Sequence, residues 1–61
     1  MKEKMEKLIE NLQAAITDLE KVENHSYGYK SAAVRARKAM HQARTDLQEL
    51  RKEVQTKKNL G

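Results

Sequence analysis

The sequence predicts an all-α protein, an antiparallel two-helix hairpin of the coiled-coil type. Apolar residues recur at alternating steps of three and four in two separate segments, which is the pattern of helices packed along a seam. Between the segments lies Gly28, and the 61 residues contain no proline that would interrupt either one. We therefore expect two helices joined by one turn, in a single domain that covers residues 1–61.

The first helix is predicted over about residues 2–24. Its apolar seam consists of Met5, Leu8, Leu12, Ala15, Leu19 and Val22. The pattern stops after Val22, where Asn24 can close a helix C-terminus and Gly28 can adopt a positive φ without a steric penalty. These features predict a turn over about residues 25–30.

The second helix is predicted over about residues 31–56; Ser31 can be its N-cap, or Lys30 can already be helical. Its seam consists of Ala33, Ala36, Met40, Ala43, Leu47, Leu50 and Val54. In an antiparallel register Leu19 lies opposite Ala36 and Leu12 opposite Ala43, so large residues meet small ones near the turn. Residues 57–61 read as a frayed tail.

Further apolar residues flank both seams. Ile9 and Ile16 lie on one flank, and Ala32 and Ala39 lie on the other. One partner helix cannot cover so wide a stripe, and a chain of this length buries little surface alone. We expect these four residues to form an oligomer interface, most simply in a homodimer that makes a four-helix bundle.

Charge is divided unevenly along the chain. Residues 1–24 hold four lysines and six acidic residues, whereas residues 25–61 hold nine lysines and arginines and only three acidic residues. A basic half of this kind indicates an anionic partner, most often nucleic acid. No cysteine, catalytic constellation, phosphate loop or metal-ligand spacing is present. We expect no enzyme activity, metal, cofactor or small-molecule substrate, and no membrane association, in a cytoplasmic protein.

A row of cations recurs every seventh residue in the second helix, and we call it the basic stripe: Lys30, Arg37, Arg44, Arg51 and Lys58. In the predicted register only Lys30 has an acidic neighbour, Glu23, on the first helix. Ion pairing within one hairpin therefore does not explain the stripe. Lys30, Arg35 and Lys38 are expected to be the most available cations, followed by Arg37. Tyr29 can stack on a base or bond a phosphate, or one of Tyr27 and Tyr29 can cover the open end of the seam.

The run from Gly28 to Lys38, Gly-Tyr-Lys-Ser-Ala-Ala-Val-Arg-Ala-Arg-Lys, followed by Leu47 to Arg51-Lys52, resembles the bacterial linker-histone-like family of chlamydial type. The resemblance covers about residues 5–55. It implies a nucleoid-associated protein that binds DNA with little sequence preference. By position, Lys30, Arg35, Arg37 and Lys38 match the first basic motif of the family, and Arg51 and Lys52 match the second.

Well-known members of the family continue into a tail rich in lysine and alanine. The present sequence resembles a short form without that tail, so strong DNA compaction by one molecule is not expected. The predicted function is non-specific binding of duplex DNA in the nucleoid, through phosphate contacts of a basic helix N-terminus. Two alternatives remain open: a coiled-coil adaptor with an acidic protein partner, and an RNA-binding hairpin.

Overall fold

Two antiparallel helices account for nearly all of the chain, of which the computed structural model describes residues 1–60. Helix α1 spans Lys2–Glu23 and helix α2 spans Tyr29–Leu60. The helices pack along each other in a rod of 51 × 15 × 12 Å. The predicted all-α helical hairpin is confirmed.

The end of α1 is a backbone motif that the residues of the turn make possible. The N–H of Ser26 donates to the carbonyl of Lys21 (3.0 Å), and the N–H of His25 donates to that of Val22 (3.3 Å). This is a Schellman pattern, which requires a left-handed residue after the C-cap. Asn24 is the C-cap, and His25 takes the left-handed position with φ of 49°.

Helix α2 begins two residues earlier than predicted. Gly28, with φ of 82°, directs the chain into the helix, and its carbonyl accepts the N–H of Ala32 (3.0 Å). Ser31 thus lies within the first turn and is not the N-cap, and the alternative in which Lys30 is already helical is the one observed. The left-handed Gly28 directly precedes the helix and its carbonyl accepts the first helical hydrogen bond, so the helix begins without a side-chain cap from Ser31.

The far end of α2 continues beyond the predicted limit. The helix runs through residues 57–60, where the sequence suggested fraying, and Gly61 lies outside the described residues. No glycine or proline interrupts residues 55–60, and Lys57 and Lys58 stabilise a C-terminal turn through the helix dipole. Thr56 also bonds the carbonyl of Lys52 (2.9 Å).

Small residues dominate the buried seam. The buried apolar residues are Leu8, Ala15, Ala32, Ala36, Ala43 and Leu50. Leu12 is half-buried and packs against Leu8, Ala43 and Leu50. Four of the six buried residues are alanines, so the helices approach through their backbones more than through large interlocking side chains.

The predicted seam of each helix consists of two heptad rows. The structure buries most of one row and leaves most of the other exposed. Five residues assigned to it remain between 39% and 55% exposed: Met5, Leu19, Met40, Leu47 and Val54. Ala32, assigned to a flank, is fully buried, and Ala39 is half-buried. The buried alanines of α2, which we call the alanine row, are Ala32, Ala36 and Ala43. Their small side chains let the two helix backbones come closer than leucine or methionine would, so both helices are rotated to bring this row into the seam.

Candidate nucleic-acid interface

The two helices carry opposite net charge. Helix α1 holds four lysines and six acidic residues, and α2 holds nine lysines and arginines and three acidic residues. The cations of α2 are concentrated near the turn, since Tyr29–Thr45 contains five of them and no acidic residue. One long side of the rod is therefore basic.

The basic stripe is exposed along α2. Within residues 1–60 the ion pairs that form are Lys4–Glu53 and Arg35–Asp18, and neither involves a residue of the stripe. The prediction that intramolecular pairing does not explain the stripe is thus confirmed for the described residues. Its cations are free to contact an external anion.

Arg35 has a different environment from the one predicted. Its Nη2 donates to Asp18 Oδ1 at 3.0 Å, and its Nε lies 3.3 Å from both carboxylate oxygens. The hydrogen bond from Arg35 lowers the pKa of Asp18, and the same bond raises the pKa of Arg35. Arg35 is half-exposed but already paired across the hairpin, so it does not belong among the most available cations.

The second ion pair lies near the open end of the rod. Lys4 of α1 donates to Glu53 of α2, and this bond lowers the pKa of Glu53 and raises that of Lys4. It lies on the same side of the hairpin as Asp18 and Arg35, and we call these four residues the ion-paired face. Both pairs lie within about one helical turn of the predicted register, but the sequence did not show which flank of the seam would bring these residues together.

Lys38 and Lys52 are exposed on α2. Lys38 also borders the groove between the helices on the ion-paired face, together with Asp18 and Ala39. Lys38 lies beside Arg37 in a shallow surface groove whose other lining residues are Val34, His41 and Gln42. Lys52 lies beside Arg51 in a similar groove with Gln48 and Gln55. Cations of the stripe and these two lysines therefore form two neighbouring basic clusters along one helix.

The two tyrosines differ in environment. Tyr27 is fully exposed, whereas Tyr29 is half-buried and lies edge-on to His25, with the ring centroids 4.9 Å apart. Tyr29 is seven residues before the buried Ala36 and so lies at the turn end of the buried row. This position suits a role in covering the seam, and Tyr27 is the tyrosine that an external ligand can reach.

A comparison with models of protein families shows the family to which this chain belongs. A family model described as histone H1-like protein Hc1 matches residues 2–60. The chain belongs to this family. Comparisons with curated proteins and with solved structures each gave no significant match. The resemblance noted in the sequence is thereby confirmed.

Members of the Hc1 family are histone-like, DNA-binding proteins, and the family is not one of enzymes. Among residues 1–60 no group of three or more potential metal ligands comes together. Neither helix of that range contains an apolar stretch of the length that a membrane crossing requires.

The residues predicted to form the oligomer interface are dispersed. Ile9 and Ile16 are 48% and 58% exposed on α1. Ala32 is buried inside the hairpin and cannot contact a second copy, and Ala39 is half-buried on the ion-paired side. The prediction for Ala32 is therefore wrong, since the rotation of α2 placed it in the seam.

The residues that the sequence interpretation missed are the exposed apolar ones that it assigned to the seam. Met5 borders a surface groove together with Leu47, Leu50 and Val54 of the other helix. Met40 and Leu47 are 47% and 42% exposed. Their heptad spacing was visible in the sequence, but which row would be left outside was not.

Proposed function

We propose that this protein binds duplex DNA without sequence specificity, as a nucleoid-associated histone-like protein. The observation that carries the proposal is the exposed, unpaired set of cations on α2: Lys30, Arg37, Lys38, Arg44, Arg51 and Lys52. Membership of the Hc1 family supports the choice of DNA as the anion.

The spacing of these cations suits a phosphate backbone. Lys30 and Arg44 are fourteen residues apart on α2, a span of about 21 Å at 1.5 Å per residue. Duplex DNA carries about one negative charge per 1.7 Å of axis, so every cation along that span has a phosphate within reach of its flexible stem. Contacts of this kind position a protein on DNA but do not read sequence.

Arg35 is a conditional member of this interface. Its guanidinium is engaged by Asp18, so DNA has to compete with that carboxylate for it. Tyr29 is engaged at the end of the buried row, and we propose that Tyr27 makes the aromatic contact instead.

The experiment is a titration of labelled duplex DNA by fluorescence anisotropy between about 50 and 200 mM salt. Wild-type protein is expected to lose affinity steeply, with a slope of log K against log salt of about −0.9 for each phosphate neutralised. The triple variant K30Q/R37Q/K38Q is expected to reduce the magnitude of that slope by about 2 to 3 and to weaken binding strongly at the lower salt concentration.

The matched control is K2Q/K7Q/K21Q, which removes the same charge from α1. It should bind much more tightly than the α2 variant, with circular dichroism confirming equal helicity. Equal loss in both variants would show that only net charge matters and would overturn the site. Tighter binding to structured RNA in a competition arm, or salt-sensitive binding to an acidic protein without DNA affinity, would replace the proposed function by one of the alternatives.

We also propose that the protein acts as a homodimer with a four-helix core. The support is the amount of apolar surface that one hairpin leaves open, since no large side chain in the described residues is fully buried. Sedimentation equilibrium tests this proposal, with a reversible dimer expected. A monomer at all accessible concentrations would contradict it.

A further inference from the structure

One side of the hairpin is apolar and open. Six residues form this apolar face: Met5, Leu12 and Leu19 of α1, and Met40, Leu47 and Val54 of α2. Leu12 is half-buried, and the other five are between 39% and 55% exposed. Each of the three α2 residues lies four positions after a buried residue. The same is true of Leu12 and Leu19 on α1, and Met5 belongs to the same heptad row as these two. In an antiparallel pair these rows lie on the same side. The shared groove of Met5 with Leu47 and Val54 agrees with this placement.

The opposite side is closed by charge. Asp18 pairs with Arg35, and Lys4 pairs with Glu53, across the other flank of the same seam. The apolar face therefore offers a partner larger apolar side chains than the ion-paired face, where the apolar lining of a groove consists of Leu8 and alanines, beside Asp18 and Arg35.

The edges of the apolar face differ in charge. Along α2 the edge is the basic stripe, represented by Arg37, Arg44 and Arg51. Along α1 the corresponding edge carries Lys2, Ile9, Ile16 and Glu23, and Glu6 and Glu20 follow on the outer side of that helix, so acidic residues outnumber the one lysine. One hairpin thus presents a basic edge and an apolar-acidic edge on either side of one apolar strip. A second copy of the same chain offers the complement to both edges.

Two symmetric stackings of such faces are possible. If the turns lie at opposite ends, α2 packs on the partner's α2, and the two basic stripes face each other. If the turns lie at the same end, α1 packs on the partner's α2, and each basic stripe faces the acidic edge of the partner. Like charges placed opposite each other across an interface are costly, so the second stacking is favoured.

The levels of the residues fit that stacking. Within one chain Lys4 pairs with Glu53 and Asp18 pairs with Arg35, so the level of Arg51 on α1 falls between Lys2 and Glu6, and the nearer pair, Lys4–Glu53, places it at Glu6. Glu20 lies about one helical turn from the level of Arg37, within reach of an arginine. A two-fold axis parallel to the helices preserves these levels between copies.

We propose that two copies stack through their apolar faces with both turns at one end, each α1 lying on the partner's α2. Arg37 and Arg51 then pair with Glu20 and Glu6 of the partner subunit, and their stems lie over the isoleucine edge. The inference rests on the dimer of the proposed function and specifies its geometry. In such a dimer DNA has to compete with the partner subunit for Arg37 and Arg51, whereas Lys30, Lys38, Arg44 and Lys52 remain available to DNA along α2.

The direct test is a distance between spin labels. Tyr27 is fully exposed and the sequence has no cysteine, so Y27C carries one label without disturbing a packed residue. Turns at the same end predict a label separation of about 15 to 30 Å, from helix spacings of about 10 Å plus the label arms. Turns at opposite ends predict more than about 35 Å, the length of α1. The longer distance in a stable dimer overturns the stacking but leaves the dimer and the DNA proposal standing.

Charge reversal tests the edges. R37E/R51E is expected to weaken homodimerisation at least about tenfold, and mixing it with E6R/E20R should restore dimers between the two variants. The control K38E/K52E reverses the same number of charges on α2 but outside the basic stripe, and should leave dimerisation unchanged while weakening DNA binding. Equal dimerisation by R37E/R51E and the control would overturn the pairing. A monomeric wild type would refute the dimer itself, and the anisotropy titration would still report on DNA binding separately.

Discussion

The ion-paired face and the apolar face of the hairpin flank one seam, yet they have opposite surface chemistry. On the first, Asp18, Arg35, Lys4 and Glu53 satisfy each other across the helices. On the second, Met5, Leu19, Met40, Leu47 and Val54 remain substantially exposed, although their heptad spacing is that of a core. The difference teaches that an apolar row can carry the heptad pattern of a core and still lie outside the core of its own hairpin.

The largest expected effect separates the buried row from the apolar face. L50A removes a side chain that is 5% exposed and should lower the free energy of unfolding by about 2 to 4 kcal/mol at any protein concentration. L47A, on the apolar face, should cost little when the protein is dilute and more as dimers form. Urea unfolding at several protein concentrations measures both. A concentration-independent cost for L47A as large as that of L50A would show that the face is part of the monomer core.

The next effect tests why the helices are rotated toward the alanine row. Ala36 is 1% exposed, so A36L should force the helices apart and cost about 1 to 3 kcal/mol. The exposed Ala14 on α1 is the matched control, and A14L should change stability by less than about 0.5 kcal/mol. Thermal unfolding compares the two. A neutral A36L would mean that close approach at the alanines does not decide the rotation.

The turn sets the level at which the two helices align, and so it positions the ion-paired face and the apolar face together. Substitutions in the turn should therefore change the stability of the whole hairpin. Gly28 has φ of 82°, and the space that an added methyl group would occupy has no other packed atom within 4 Å. G28A should therefore cost about 1 to 2 kcal/mol through backbone strain alone. H25G places glycine at the left-handed position of the Schellman motif and should stabilise the folded protein by up to about 1 kcal/mol. The loss of the ring contact between His25 and Tyr29 reduces this gain. Relative to wild type, the denaturation midpoint should fall for G28A and rise for H25G. Shifts of the same sign in both variants would contradict this account.

The smallest effect on stability concerns the exposed ion pair. The pKa of Asp18 is lowered in the folded state by the hydrogen bond from Arg35. Its contribution to stability is therefore present above the ordinary aspartate pKa and is lost as the pH falls through the folded-state pKa. D18N should be slightly less stable than wild type at neutral pH, and the difference should vanish in acid. Melting curves across that range test the sign.

D18N should also release Arg35 for DNA. The salt slope should steepen by about 0.9 if one more phosphate is neutralised, with tighter binding at low salt. D46N is the matched control, because it removes one negative charge from α2 without an arginine partner. Equal gains in both variants would reduce the effect to net charge.

The sequence was sufficient for the hairpin, because two segments of heptad period separated by one glycine-containing turn admit few other folds. It was also sufficient for the unpaired basic stripe, since the register leaves Arg37, Arg44 and Arg51 without an acidic neighbour. It was not sufficient for Arg35, whose partner Asp18 lies on a flank that only a specific helix rotation closes. Ala32 was misplaced for the same reason.

The sequence by itself determined that two helices form around one turn, the approximate level at which they align and the membership of the Hc1 family. The tertiary structure alone decided which of two adjacent apolar rows is buried. A heptad pattern places both rows next to the seam, and on α2 the buried row has the smaller side chains near the turn, at Ala36 and Ala43. Alanine on one side lets the backbones come close, and that packing leaves the larger side chains of Met40, Leu47 and Val54 on the apolar face.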